Sequence, residues 1–421
     1  MIAAGMLLAC ALSVRAQQVM EVMGPGPVVA ISENLDGRQE MVNVFAITQS
    51  AYFHDPQAPR FILIDQQSRW ALGIGGYVQA KMEYDFDGIV DNVDFFPSQI
   101  PCTGNPASSQ TQFSATSSTV FLKLVGKTKG LGNFVVYTAG NWKGSDNNLH
   151  LRNAYISFLG FTAGYDMGLF TDMAACPPTI DYAGPSGMTI YRTTVFRWEH
   201  NLGKSGLSMG VGLEMPGVNA TDSRTQTVGP QRFPNVPLYL QYSWNNQSHF
   251  RLNGIFRDIT YSNLSEGKND REEAGWGAQA SLVTTLGPKL SIFGQYTVGE
   301  GIAGLLNDMS NLPVDIVAHP NEPGKMMLLL TDGWYAGMRY NFCKNAFATA
   351  TYSQTSLHSK QGYGDANPTQ YKRGQYVVAN LFTNVTPNLQ LGLEYLHGWR
   401  TNFDDDTYNA NRINLSARYN F

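Results

Sequence analysis

From Trp70 onward, apolar and polar residues alternate along most of this chain with a period of two. In the last such stretch Ile413, Leu415, Ala417, Tyr419 and Phe421 fall on one side, and Arg412, Asn414, Ser416, Arg418 and Asn420 on the other. A helix cannot sort residues this way, whereas a strand with one greasy and one hydrophilic face does. The stretch 71–86 repeats the pattern, with Leu72, Ile74, Val78, Ala80, Met82, Tyr84 and Phe86 set against Tyr77, Gln79, Lys81, Glu83 and Asp85. It is long beside the roughly five or six residues usual in globular sheets.

The alternation predicts sixteen strands: 71–86, 112–126, 132–142, 149–159, 161–170, 191–200, 206–213, 237–244, 249–261, 273–284, 289–301, 334–342, 346–357, 374–385, 389–399 and 409–421. The facing of the second and fourth can be read either way. Short turns near 127–131, 160, 201–205, 245–248, 286–288, 343–345 and 386–388 interleave with longer loops at 87–111, 143–148, 171–190, 214–236, 262–272, 302–333, 358–373 and 400–408. This is the layout of an up-and-down outer-membrane barrel, with short turns in the periplasm and long loops outside. Trp198, Trp244, Trp276, Trp334, Trp399, Tyr419 and Phe421 end their strands on the apolar side, as interfacial girdles do. A soluble sandwich would also alternate; the long first strand and the terminal Phe421 favour the membrane. The fold class expected is therefore all-β, a sixteen-stranded antiparallel transmembrane β-barrel over 70–421.

Composition narrows the function. Charged residues make up 15% of the chain, against about 25% in ordinary soluble domains, while 42 Gly, 22 Phe, 21 Tyr and 7 Trp suit a barrel wall. A net charge of -4 gives no general reason to bind nucleic acid. No uncharged apolar run reaches the ~18 residues of a spanning helix. Residues 1–16 read as an export signal, an apolar run ending in Val14-Arg15-Ala16, although the basic start is missing. Residues 17–69 alternate poorly and open with Gly24-Pro25-Gly26-Pro27; they read as a periplasmic N-terminal extension, and the pattern leaves a lumenal plug open. Cys102 and Cys176 lie in Pro-rich loops that could be bridged in an oxidising compartment. No Cys/His spacing suits a metal, no cofactor motif holds up, and His54-Asp55 reads as loop surface rather than catalytic machinery.

The stretch 121–200 carries Leu151-Arg152-Asn153-Ala154-Tyr155, then Ala163-Gly164, Phe170-Thr171-Asp172, Asp181-Tyr182-Ala183-Gly184-Pro185-Ser186-Gly187 and Phe196-Arg197-Trp198, in that order. It resembles the DcaP-like outer-membrane porins. The resemblance implies a homotrimer of sixteen-stranded barrels in the bacterial outer membrane, set in lipid and lipopolysaccharide. It also implies a third loop folded inward, and passive uptake of small anions such as dicarboxylates. One departure stands out: the N-terminus lacks the apolar heptads that form a periplasmic coiled coil in some relatives.

A barrel of this size leaves a water channel, whose selectivity depends on its narrowest charged ring. The third loop, with Asp172 and Asp181 and stiffened by Pro177 and Pro178, is the candidate constriction. Strand phasing turns Arg197, Arg251, Arg257, Arg339, Arg412 and Arg418 toward the lumen. Arg152 joins them only if its strand slips phase at a bulge. Guanidinium groups stay charged and match carboxylates, so Arg197, Arg251 and Arg257, joined by Arg152 if it turns inward, form a candidate basic wall opposite the acidic loop. The function expected is a diffusion porin rather than an enzyme. A phospholipase-like barrel would need a Ser partner for His397, which is not evident, and an adhesin or receptor barrel would be plugged.

Overall fold

The computed structural model describes residues 28–30, 41–45, 48, 50, 52–56 and 61–421, apart from 104–107, 129, 246–247, 266 and 268; the export segment 1–16 lies outside them. Among the described residues, sixteen strands follow one another round a closed wall: β1 Trp70–Phe86, β2 Thr119–Thr128, β3 Gly132–Asn141, β4 His150–Phe158, β5 Phe161–Met167, β6 Arg192–Asn201, β7 Leu207–Glu214, β8 Val236–Asn245, β9 Ser248–Asn263, β10 Asn269–Leu286, β11 Leu290–Glu300, β12 Leu330–Cys343, β13 Ala346–Leu357, β14 Tyr371–Asn384, β15 Leu389–Asn402 and β16 Thr407–Asn420. Each is antiparallel to the next.

The wall closes where β16 pairs with β1, from Asn411 opposite Phe86 to Asn420 opposite Tyr77. Beyond the last pair, Phe421 exchanges both backbone hydrogen bonds with Gly76 at 3.0 Å. A Cβ on Gly76 would stand 2.2 Å from the Thr119 carbonyl oxygen, so the seam requires glycine there.

Alternation decides which side faces lipid. Leu415 is 47% exposed while Asn414 beside it is 1% exposed, and Phe256 is 51% exposed beside Arg257 at 1%. The greasy face is thus the outer surface, and the hydrophilic face is enclosed.

Two strands depart from the expected pattern. The stretch 112–126 is not one strand. Its first part belongs to a short strand, Ser109–Ser114, paired with the upper half of β1. The rest lies in β2, which pairs with the lower half of β1. Ala115–Ser118 turns between them, and Ser118 Oγ accepts the Gln79 N–H at 2.9 Å. In β4, Ala139 faces Asn153 and Gly140 faces Leu151, so Arg152 is the extra residue of a bulge. The slip turns Arg152 and Asn153 inward together.

The described residues of 17–69, expected as a periplasmic extension with a lumenal plug left open, lie against the barrel. Phe61–Ile64 pairs with the start of β1. Met41, Val44 and Phe45 pack with Ile62, Ile64, Ala71, Val125 and Val135. His54 and Asp55 are buried against the hydrophilic face rather than lying on a loop surface. The reason is charge: Arg152 and Arg418 are enclosed, and backbone carbonyls and Asp55 of this segment accept hydrogen bonds from them.

Candidate functional site

The loop between β5 and β6 is tied down at both feet by one carboxylate. Glu214, at the end of β7, accepts the Leu169 N–H at 2.6 Å through Oε1 and the Tyr191 hydroxyl at 2.7 Å through Oε2. Between the feet, the hydrophilic faces of β9 to β15 supply partners. Asp172 Oδ2 accepts the Ser281 hydroxyl at 2.5 Å and lies 2.8 Å from His249 Nε2. The Tyr335 hydroxyl donates to the Ala175 carbonyl at 2.9 Å. Pro178, which has no N–H, accepts at its carbonyl from Thr349 (3.1 Å) and Asn380 (2.8 Å). Glu394 receives the Ile180 N–H at 2.6 Å and the Asp181 N–H at 2.7 Å. Gly187 donates to Ser353 Oγ at 2.7 Å, and a Cβ there would meet Trp334 and Gln354 backbone atoms at 2.4 Å.

These contacts explain the 181–187 motif. The Asp181 carboxylate gathers the N–H groups of Phe95, Ala183 and Gly184 and the Tyr376 hydroxyl. Gly184 has φ +78°, the left-handed region that favours glycine. Burial pushes the Asp181 carboxyl up to about 7, and Asp94 and Glu394 nearby add to it. Burial also opposes ionisation of Asp172, but His249, Arg251 and Ser281 outweigh it and hold that carboxyl below its ordinary value.

The sixth loop, between β11 and β12, packs over the third, an arrangement that strand patterning did not reveal. The Asn307 amide donates to the carbonyls of Ala183, Gly184 and Pro185 at 2.9 to 3.1 Å. Asp308 accepts the Ser98 N–H at 2.8 Å and the Tyr371 hydroxyl at 2.6 Å, joining the first loop to the sixth. Burial pushes Asp308 up to about 6 against the pull of those donors.

The seven arginines sort into three groups. Arg412 and Arg257 brace the wall and loops. Arg412 holds Asp85 with two bonds, at 2.6 and 2.9 Å, and Arg257 holds Asp315 and the carbonyls of Gly301 and Gly217. Both are at most 1% exposed and border neither cavity described below. Long loops close over these wall positions and, with Asp85 on the wall, take up most of their donors. Arg152 and Arg418 bind the N-terminal segment. Arg197, Arg251 and Arg339 reach cavities.

Two hydrophilic cavities among the described residues border the third loop. One of about 640 Å³ is bordered by Lys123, Asp166, Asp172, Arg197, Glu199 and Arg251; another of about 450 Å³ is bordered by Arg339, Asn341, Cys176 and Pro178. Arg197 is paired with Asp166 (2.7 Å) and Glu199 (2.9 Å). No described carboxylate ion-pairs with Arg251 or Arg339. Arg251 bonds Asn253 and the Leu169 carbonyl and lies over the Tyr239 ring at 3.7 Å. Arg339 bonds Asn341 and lies over Phe347 at 3.8 Å.

The expected Cys102–Cys176 bridge is absent. Cys102 contacts the Asn402 side chain, where the first loop lies against the top of β15. Cys176 is drawn under the third loop among Tyr52, Met188, Phe293 and Tyr335. Burial pushes the Cys176 thiol up, which leaves it protonated and unreactive. His397 bonds Asn411 and stacks edge-on with Trp399, with no serine in the contact.

The sequence profile of the DcaP outer membrane protein family matches residues 60–421. The chain belongs to that family. The outer membrane channel DcaP of Acinetobacter baumannii superposes with a TM-score of 0.74 at 16% identity, over 85% of this chain and 99% of that one. An anion-selective porin from Comamonas acidovorans (TM-score 0.53, 10% identity, 84% and 100% covered) and the Salmonella typhi OmpF complex with daunomycin (0.54, 12%, 83% and 98%) share the barrel. Comparison with curated proteins gave no match. The protein is thus a DcaP-family outer-membrane porin, seated in the bacterial outer membrane.

Proposed function

We propose that this DcaP-family barrel passes small hydrophilic solutes by diffusion, with a preference for anions such as dicarboxylates, and performs no catalysis. The observation that carries the preference is the placement of Arg251 and Arg339, each bordering a hydrophilic cavity with no described carboxylate ion-paired to it. The hydrogen-bond partners of both guanidinium groups are neutral, so Arg339 offers its charge to a passing anion and Arg251 shares its own with the Asp172 carboxylate on the same cavity, whereas Arg197 is ion-paired with Asp166 and Glu199. The third loop acts as the constriction. Its hydrogen bonds to Thr349 and Ser353 of β13 and Glu394 of β15, across the ring from its feet, support that reading. Relatives that include an anion-selective porin support the solute class.

The assembly fits a trimer. β4 to β7 have nine, seven, ten and eight residues. At about 3.3 Å per residue and ~40° tilt, seven residues rise only ~18 Å, below the ~25 Å apolar band. This low side still exposes Ile156, Phe161, Phe196 and Val211, and neighbouring copies would cover it.

Reversal potentials in a salt gradient test the preference. Wild type should favour anions, and Arg251→Gln with Arg339→Gln should bring the preference close to zero. Cation preference in wild type, or an unchanged potential in the double variant, would refute the assignment.

A further inference from the structure

We propose that the N-terminal stretch around Tyr52–Pro56 is a tethered, displaceable plug, in which Asp55 and the neighbouring carbonyls occupy guanidinium positions that a permeating anion would otherwise use. The inference rests on the anion-channel reading for the identity of the competitor, but not for the existence of the plug.

Three sets of contacts place this stretch across the lumen. On one side, Arg152 donates to the His54 carbonyl at 2.9 Å and pairs with Asp55 Oδ1 at 2.8 Å. Arg418 donates to the Phe53 carbonyl at 3.0 Å and the Asp55 carbonyl at 3.2 Å. The Tyr77 hydroxyl adds a third donor, and Arg192 stands 3.9 Å from Asp55 Oδ1. These groups come from β4, β16, β1 and β6.

On the other side, the Phe53 ring packs on Phe382 of β14 at 5.1 Å. Tyr52 joins Phe293 of β11 and Tyr335 of β12 under the third loop. Behind both, Met41, Val44 and Phe45 form an apolar anchor, and Lys123 caps the Phe45 and Thr48 carbonyls at 3.2 and 2.9 Å.

The cavities give the consequence. Ser50 borders both; Asp55 and Pro56 border the larger, Tyr52 and Phe53 the smaller. The stretch therefore divides what would be one passage. Displaceability follows from how it is held. Its hold on the arginine side is made of carbonyl and carboxylate oxygens on guanidinium groups, which a solute dicarboxylate can replace group for group. The fit is also incomplete, because both ring nitrogens of His54 and Nε of Arg152 are buried without a hydrogen-bond partner.

Single-channel recording in planar bilayers tests the plug with two variants, deletion of residues 41–56 and the full-length Asp55→Arg. Arginine at 55 would face Arg152, Arg192 and Arg418 and be expelled. Both variants should raise the unit conductance about two-fold or more, because the lumen then conducts as one wide path. Folding is checked by the heat-modifiable gel shift of closed barrels. If either variant shows the shift and conducts as wild type does, the plug is overturned. The readouts are separable. A conductance rise with no anion preference keeps the plug and overturns the anion reading, and an anion preference with no rise does the reverse.

Discussion

Replacing Glu394 with Ala should release the middle of the third loop. The carboxylate is fully enclosed and accepts four hydrogen bonds: the N–H groups of Ile180 and Asp181 at 2.6 and 2.7 Å, and the amides of Asn414 and Asn380 at 3.0 and 3.2 Å. Alanine supplies no acceptor and leaves no route to water. Each backbone N–H stranded in this way costs about 1–3 kcal/mol, so the loop side alone loses about 2–6 kcal/mol of docking. At ~1.4 kcal/mol per tenfold, that is a shift of about 30-fold at the least. Other ties resist it: Asn380 still holds the Pro178 carbonyl, Tyr376 holds Asp181, and Asn307 holds 183–185. The release is therefore local, around 178–182, and the lower end of the range applies. Glu394→Gln keeps one acceptor and should lose about half as much. Bilayer recordings of Glu394→Ala should show noisier open channels and a changed unit conductance, with Glu394→Gln intermediate. A quiet Glu394→Ala channel at wild-type conductance would refute the claim that this carboxylate fixes the loop.

Gly187→Ala should push the same loop off the wall, since its Cβ would stand 2.4 Å from backbone atoms of Trp334 and Gln354; a loss of about 1–3 kcal/mol is expected in thermal unfolding, with altered conductance. His54 makes the plug acid-sensitive. Burial first, then Arg418, Arg152, Lys81 and Lys143, hold its imidazole well below its ordinary value, with Asp55, Tyr52, Tyr77 and Tyr182 also close by. A released ring would titrate near its ordinary ~6.5, so the docked state is favoured at neutral pH and loses ground as pH falls below that value, by about 2 kcal/mol at pH 5. Conductance should rise from pH 8 to pH 5 in wild type and rise less in His54→Gln. Asp181 and Asp308 titrate in the same range but are common to both proteins, so an equal response in the two would refute the role of His54.

Much of the wall was legible because strand parity is a local property. Fourteen of the sixteen stretches needed only shifts at their ends, and the two whose facing could be read either way are one with a break and one with a mid-strand bulge; the other register shifts lie at strand ends, near Ser243, Asn341 and Tyr371. A bulge obeys no period, so Arg152 could be turned inward only conditionally, on the grounds that charge in lipid is costly. The motif 181–187 was visible as a pattern, but its work was not. Asp181 acts on Phe95 and Tyr376, far away in sequence.

The order of greasy and hydrophilic residues, by itself, determined the sixteen-stranded wall and the face turned to lipid, and the motifs of 121–200 pointed to the family. Each of these follows from two-residue periodicity, turn spacing or short contiguous motifs. Only the tertiary structure decided which arginines are spent and which are available. Arg257 is engaged by loops, Arg412 by Asp85 and the first loop, Arg152 and Arg418 by the N-terminal segment, and Arg251 and Arg339 border open cavities. Whether a buried cation meets a carboxylate depends on where loops of 20 to 30 residues come to rest. That is set by hydrogen-bond partners on distant strands, which no local pattern encodes.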